Sequence, residues 1–180
     1  MNYRRENMKI TGNKYIVGIA IHLLIVLSII RIYFVYENIG QVISYSSVII
    51  LLIAAAAIDV QQKIIPNVLV VSGSLVGIII AFINTNMTLI NALMTVFLIG
   101  GLLWIVSILS KGAIGMGDVK LVACIGIFLG LQKTLTVLCV ALLLSGIVAV
   151  VLIVLRYANG KKEIPFAPFV LAAAMITILF

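Results

Sequence analysis

Long apolar runs, broken by short polar or glycine- and proline-bearing stretches, make up nearly all of this 180-residue chain. The pattern predicts seven candidate spans, at roughly 15–36, 40–58, 66–83, 89–109, 118–132, 134–155 and 164–180. A helix that crosses a bilayer needs about 20 residues at about 1.5 Å each. The run 89–109 meets that unaided. The run 118–132 is short, and only Gln132-Lys133 separates it from the next. Those two are expected either as a tight helical hairpin or with one of them tilted and partly sheltered by protein. The fold class expected is therefore all-α, a polytopic membrane helix bundle of six or seven transmembrane helices.

Composition agrees with that pattern. At 64% hydrophobic and 9% charged residues, with mean hydropathy +1.36, the chain is far too apolar for a water-soluble domain of this size. No polar stretch is long enough for a separate soluble domain. The expected organisation is a basic N-terminal segment, 1–14, and a single membrane-embedded domain, 15–180, with its chemistry in about 40–180. The first span follows Arg4, Arg5, Lys9 and Lys14 as a signal peptide would, but it continues into Arg31-Ile32-Tyr33-Phe34 with no small-residue cleavage pattern. An uncleaved anchor is expected. Cys124 and Cys139 both fall inside apolar runs without C-x-x-C spacing, so buried structural thiols are expected and neither a disulfide framework nor zinc is indicated.

Charge placement sets an orientation. A cytoplasmic N-terminus puts Arg4, Arg5, Lys9, Lys14, Lys63, Lys111, Lys120, Arg156, Lys161 and Lys162 on the inner side, and leaves only Arg31 and Lys133 near the outer side. Ten against two is a strong positive-inside bias. The net charge of +7 is mostly this topological signal. Basic residues scattered over short loops, with no interleaved aromatics, do not indicate a nucleic-acid partner.

The acids carry the chemistry. Only five are present (Glu6, Glu37, Asp59, Asp118 and Glu163), and two of them, Asp59 and Asp118, close apolar runs. A carboxylate at the centre of a membrane helix costs about 2.5–3.5 kcal/mol. The orientation puts both at the same face, and two carboxylates brought together there point to aspartyl-protease chemistry. The competing reading is a pair of coincidental helix-end charges. Val60-Gln61-Gln62-Lys63 after Asp59 reads as a polar turn, with Pro66 at the start of the next helix and Asn67 able to bond exposed backbone in its first turn. Gly112, Gly115 and Gly117 precede Asp118. Glycines so dense suit a bend or a close approach, and Asp118 then falls at a helix N-terminus as an acidic cap favoured by the helix dipole. Phosphate cradling is not indicated, because no P-loop string exists. Two pairs of glycines four apart, Gly73 with Gly77 and Gly126 with Gly130, permit close helix contact in lipid.

Asp59 followed by Ile65-Pro66-Asn67, then Gly115-Met116-Gly117-Asp118-Val119-Lys120-Leu121, resembles the type IV prepilin peptidases, a family of membrane aspartyl proteases. Ile164-Pro165-Phe166-Ala167-Pro168-Phe169 is similar to a third segment of that family, which opens the last helix. Three motifs in order over about residues 59–170 make the match specific. Glycine-x-glycine-aspartate alone is shared with the presenilin and signal-peptide-peptidase group.

The resemblance implies an enzyme of the prokaryotic cytoplasmic membrane that removes the basic leader from prepilin or pseudopilin precursors on the cytoplasmic side, typically after a glycine preceding the hydrophobic helix. It implies Asp59 and Asp118 as the catalytic pair. It further implies Gly115, Gly117 and Lys120 as the active-site loop, and Pro66, Asn67, Pro165, Phe166 and Pro168 as structural or substrate-positioning residues. Two carboxyls held close cannot both ionise easily, so one takes a proton from attacking water while the other hydrogen-bonds the oxyanion. Many bacterial members also carry a cytoplasmic region with paired cysteines and methylate the new N-terminus. With no cysteine before Cys124, peptidase activity without methyl transfer, zinc or any cofactor is expected. Lys63 or Lys120 is a candidate partner for an acidic residue early in the mature substrate. His22, alone in the first span, is read as a packing residue. A presenilin-like protease and a small transporter using the acids as a proton relay are the competing functions, and the separation of the two carboxyls discriminates between them.

Overall fold

The computed structural model describes residues 25–83, 89–110, 114–155 and 164–179. The basic segment 1–14, the beginning of the first span with His22, the loop residues Lys111 and Gly112, and the stretch carrying Arg156, Lys161, Lys162 and Glu163 lie outside the described residues.

Among the described residues every regular element is helical. They are α1, whose described part is Ile25–Val35, α2 (Ile39–Gln62), α3 (Asn67–Ile83), α4 (Leu89–Leu109), α5 (Met116–Val154) and α6 (Ala167–Leu179). Helices α2, α4 and α5 are each long and apolar enough to cross a bilayer, and α1, α3 and α6 are shorter apolar helices. Large apolar side chains such as Phe82, Phe97, Val68 and Leu109 point outward and are mostly exposed. A lipid solvent makes that arrangement stable, and water would not. The protein is a polytopic membrane helix bundle.

Two boundaries differ from the sequence expectation. Helix α2 does not stop at Asp59 but runs on to Gln62. Val60-Gln61-Gln62 therefore forms a last helical turn rather than a polar loop, and Asp59 is held inside regular structure. Lys63 ends the helix in the left-handed region (φ 53°, ψ 31°), its N–H bonded to the Asp59 carbonyl at 2.8 Å. The second difference is at the expected break at Gln132-Lys133. Both residues are helical, and the break lies at Gly130 (φ 73°, ψ 176°). That region of backbone space is essentially restricted to glycine. A straight helix would hold Asp118 and Gly146 about 40 Å apart, yet both line one cavity. Helix α5 is thus a hairpin of two arms, 116–129 and 131–154, reversing on one residue. The hydroxyl of Thr134, fully buried, donates to the Gly130 carbonyl at 2.6 Å and steadies the reversal.

The first arm of α5 is short for a crossing, about 21 Å, but it occupies the middle of the bundle. Leu121, Val122, Cys124, Ile125, Phe128 and Leu129 along it are all buried. Helices α3, α4 and α6 pack against α5. Gly73 and Gly77 of α3 meet this arm closely, since a Cβ on Gly77 would lie 2.8 Å from the Phe128 ring and one on Gly73 would lie 3.2 Å from Cys124 Sγ and also strike Leu51 of α2. The expected close contact holds there. The second glycine pair divides its roles: Gly126 admits Thr95 of α4, whereas Gly130 makes the reversal. Cys124 is buried and its thiol donates to the Val70 carbonyl at 3.6 Å. Cys139, also expected buried, is exposed, because only Val137, Leu138 and Ala141 of that stretch turn inward.

The bundle has two distinct ends. At one, Arg31 bonds the Leu179 carbonyl and Lys133 donates to the Tyr36 hydroxyl at 3.1 Å, with its ammonium 4.3 Å from the Tyr45 ring centre. At the other lie the end of α2, the start of α3, the first turn of α5 and the start of α6, with Asp59, Lys63, Asp118 and Lys120. Arg31 and Lys133 are thereby separated from Lys63 and Lys120, the division that the charge pattern expects.

Candidate catalytic site

Asp59 is 5% exposed, an uncommon burial for a carboxylate. Its Oδ2 accepts a hydrogen bond from the backbone N–H of Ala167 at 2.9 Å. The sequence around Ala167 explains why this N–H is available. A helix leaves its first N–H groups without internal partners. Here Phe169 and Val170 are satisfied by the Phe166 carbonyl, while Pro165 and Pro168 have no N–H to satisfy. Ala167 is fully buried, out of reach of water, so Asp59 supplies its acceptor. The proline-rich opening of α6 thus concentrates the helix's anion preference on one carboxylate.

Asp118 stands in the first turn of α5, three residues after the N-cap, which is Gly115. It is therefore not itself the cap; its own N–H bonds the Gly115 carbonyl at 3.0 Å. The macrodipole still favours its charge there. Gly115 and Gly117 leave room for two different contacts. A Cβ on Gly115 would lie 3.1 Å from the Asp118 carboxylate, and a Cβ on Gly117 would lie 3.2 Å from Cβ of Ile65. The loop that follows Asp59 consequently rests directly on the turn that carries Asp118. Both acids therefore sit at one end of the bundle, on segments that touch through Ile65 and Gly117.

A second tie crosses the same junction. Lys120 Nζ donates to Asn67 Oδ1 at 2.9 Å, joining the first turns of α5 and α3. Asn67 was expected to bond backbone in its own first turn. The structure gives that work to Pro66, whose carbonyl accepts from Leu69 and Val70, and turns the Asn67 side chain to the lysine. Ser107 near the end of α4 donates to the Ile114 carbonyl at 2.8 Å and holds the end of the glycine-bearing loop.

Beside Asp118 opens a cavity of about 330 Å³. Its walls come from α4 (Leu103), both arms of α5 (Val119, Val122, Leu138, Leu142 and others) and the start of α6 (Ile164, Phe166, Phe169). Phe166 therefore borders the cavity of Asp118 while its neighbour Ala167 holds Asp59, so two consecutive residues connect the acids' surroundings. Sequence reasoning had found Phe166 but not the residues of the second α5 arm, whose only signal was the small pair Ser145-Gly146 in an otherwise bulky run. Among the described residues no group of three or more His, Cys, Asp or Glu side chains is placed to hold a metal ion.

Comparison with known proteins bears on this site. The model of the type IV leader peptidase family matches residues 46–154, a stretch that includes both aspartates but not the opening of α6. The prepilin leader peptidase/N-methyltransferase of Aeromonas hydrophila is 30% identical over 134 residues, covering 72% of this chain and 46% of that protein. Its counterpart in Pseudomonas aeruginosa is 28% identical over 134 residues with the same shares. The one in Burkholderia pseudomallei is 28% identical over 135 residues, covering 72% of this chain and 43% of that protein. The chain spans less than half the length of these curated relatives. No solved structure matches it.

Proposed function

Because this chain belongs to the type IV leader peptidase family, we propose that it is a membrane aspartic endopeptidase that cleaves the basic leader from type IV prepilin-like or pseudopilin precursors. In this reading Asp59 and Asp118 activate the water, at the cytoplasmic face of a prokaryotic inner membrane. The observation that carries the reading is the meeting of the two acid-bearing segments: Asp59 anchored on the Ala167 N–H, Asp118 on a cavity wall, and Ile65 of the loop after Asp59 seated on Gly117 of the turn that carries Asp118. An apolar cavity beside Asp118 suits a protease that holds a peptide.

The chemistry runs through the pair. The carboxylate of the two that is charged accepts a proton as the water oxygen bonds to the scissile carbonyl carbon. The protonated partner donates a hydrogen bond to the carbonyl oxygen, where negative charge develops. Collapse of the tetrahedral intermediate breaks the C–N bond, and the departing amine takes the proton that the first carboxylate had received from the water, which returns that carboxylate to its charged form. The reaction needs one proton held by the pair, and roles are assigned to the pair rather than to its members. The separation of Lys63 and Lys120 from Arg31 and Lys133 supports the cytoplasmic placement of the acids.

Reconstitution in proteoliposomes with candidate prepilins tests the reading. Asp59→Asn and Asp118→Asn are each expected to abolish leader cleavage while the protein stays in the membrane. Normal cleavage by either variant overturns it.

A further inference from the structure

Helix α4 is not α-helical throughout: Val96–Gly100 forms one turn of π-helix. Such a turn takes in one residue more than an α-helical turn does. Its effect shows in the side chains that face α5. Thr95 lies against Gly126, where an added Cβ would come within 2.7 Å of the Thr95 methyl carbon, and Gly100 lies against Ala123. Leu103 clusters with Val119 and Val122, and Ser107 donates to the Ile114 carbonyl at 2.8 Å. One face of α4 thus follows the first arm of α5 back to its start. At about 100° per residue, an unbroken α-helix would carry Leu103 about 80° and Ser107 about 120° away from the face of Thr95. With one residue absorbed by the π-turn, both fall within about 20° of it. All three side chains are buried, Thr95 completely.

Resting on the leader-peptidase reading, we infer that Ser107 is a positioning residue for Asp118, and that the π-turn is what brings its hydroxyl to the start of α5. A serine or threonine inside a helix commonly gives its hydroxyl proton to the carbonyl four residues back, as Thr95 does to Asn91 at 2.7 Å. Ser107 reaches out of its helix instead, to a residue seven positions on. It belongs to none of the three motifs that carry the acids and the opening of α6.

The path from Ser107 to the acid is short. The Ile114 carbonyl shares one planar peptide with the nitrogen of Gly115. The Gly115 carbonyl in turn accepts from the N–H groups of Asp118 and Val119 at 3.0 and 3.2 Å. Gly115 supplies no capping side chain, and glycine gives the backbone little stiffness of its own. The Ser107 hydroxyl therefore supplies from outside the fixity that this N-terminus lacks. Ser107 is 4% exposed, so water has no access to take its place.

The experiment uses the full chain in proteoliposomes and synthetic precursors with a basic leader, glycine before the scissile bond and an apolar helix after it. Ser107→Ala is compared with Ser107→Thr, which keeps a hydroxyl, and with Thr95→Val, which removes a buried hydroxyl from the same face farther from the acid. Ser107→Ala is expected to lower kcat about tenfold with KM within about twofold of wild type. It is also expected to quicken amide hydrogen exchange over residues 114–120 about tenfold, the worth of one lost hydrogen bond. Ser107→Thr should recover most of the kcat, and Thr95→Val should change neither quantity. Unchanged kcat in Ser107→Ala, unchanged exchange, or equal losses in Thr95→Val each overturn the assignment and leave leader cleavage standing. Deletion of Leu98, an exposed residue of the π-turn, removes the extra residue and leaves Ser107 on the α5 face. That variant is expected to keep kcat within about threefold of wild type, and loss of cleavage in it overturns the role given to the turn. A wild-type protein that cleaves none of the precursors overturns the leader-peptidase reading itself, and the exchange comparison still decides whether Ser107 fixes the turn of Asp118.

Discussion

The backbone N–H of Ala167 and the carboxylate of Asp59 are joined by a buried hydrogen bond of 2.9 Å, so the last helix begins on the side chain of an acid far earlier in the chain. Asparagine keeps an acceptor at this place and alanine does not. Asp59→Ala is expected to lower stability by about 1–3 kcal/mol, the cost of orphaning a buried N–H, and Asp59→Asn to lose much less. Thermal unfolding in detergent compares them, and both should be inactive. Equal destabilisation would show that the hydrogen bond does not hold α6.

Gly117 lets Ile65 approach the turn that presents Asp118. Gly117→Ala is expected to leave the fold intact and to reduce kcat/KM on the order of tenfold, because a displacement of a few tenths of an ångström between reacting groups is enough to slow chemistry. Adding Ile65→Ala should restore part of the loss. A double variant no better than the single one would mean that the contact does not position the acids.

The reversal at Gly130 makes a third prediction. Any other residue at φ 73°, ψ 176° carries a backbone penalty of about 1–3 kcal/mol. Gly130→Ala should therefore destabilise the protein by about that amount, measured by denaturation in mixed micelles. Gly101→Ala, in α4 with nothing within 4 Å of the added carbon, should show no comparable loss.

At the far end of the bundle, Lys133 lies over the Tyr36 and Tyr45 rings, 4.9 and 4.3 Å from their centres, and donates to the Tyr36 hydroxyl. Lys133→Gln is expected to cost about 0.5–2 kcal/mol in stability. Leader cleavage at saturating substrate should not change, because the acids lie at the opposite end. A fall in kcat without a fall in stability would contradict this division of the molecule.

Much of this architecture was legible in the runs of apolar residues. The spans, the hairpin of the short fifth run and the segregation of Lys63 and Lys120 from Arg31 and Lys133 all follow from membrane physics, which acts on segments and on charge. What the sequence misplaced was local. Asp59 was read as a helix end because polar residues follow it, yet Val60-Gln61-Gln62 continue the helix, since glutamine is a good helix former and a bundle end is wet. The break between the two arms was assigned to the polar pair Gln132-Lys133, whereas backbone geometry assigns it to Gly130. The Lys120–Asn67 bond and the Ala167–Asp59 bond join residues far apart in sequence, and no periodicity reports such contacts. The walls of the cavity were hidden for a related reason: Leu138, Leu142 and Gly146 look like any lipid-facing apolar run until the arm is folded back beside Asp118.

A reversal made by one residue also shapes how the protein reaches its membrane. The 39 residues of α5 leave the ribosome as one helical stretch, apolar on both sides of Gln132-Lys133 and nearly twice what a single crossing uses. No loop separates its halves to be translocated or retained on its own. The two arms must enter the bilayer together, already turned, and the glycine that permits the turn governs biogenesis as much as shape.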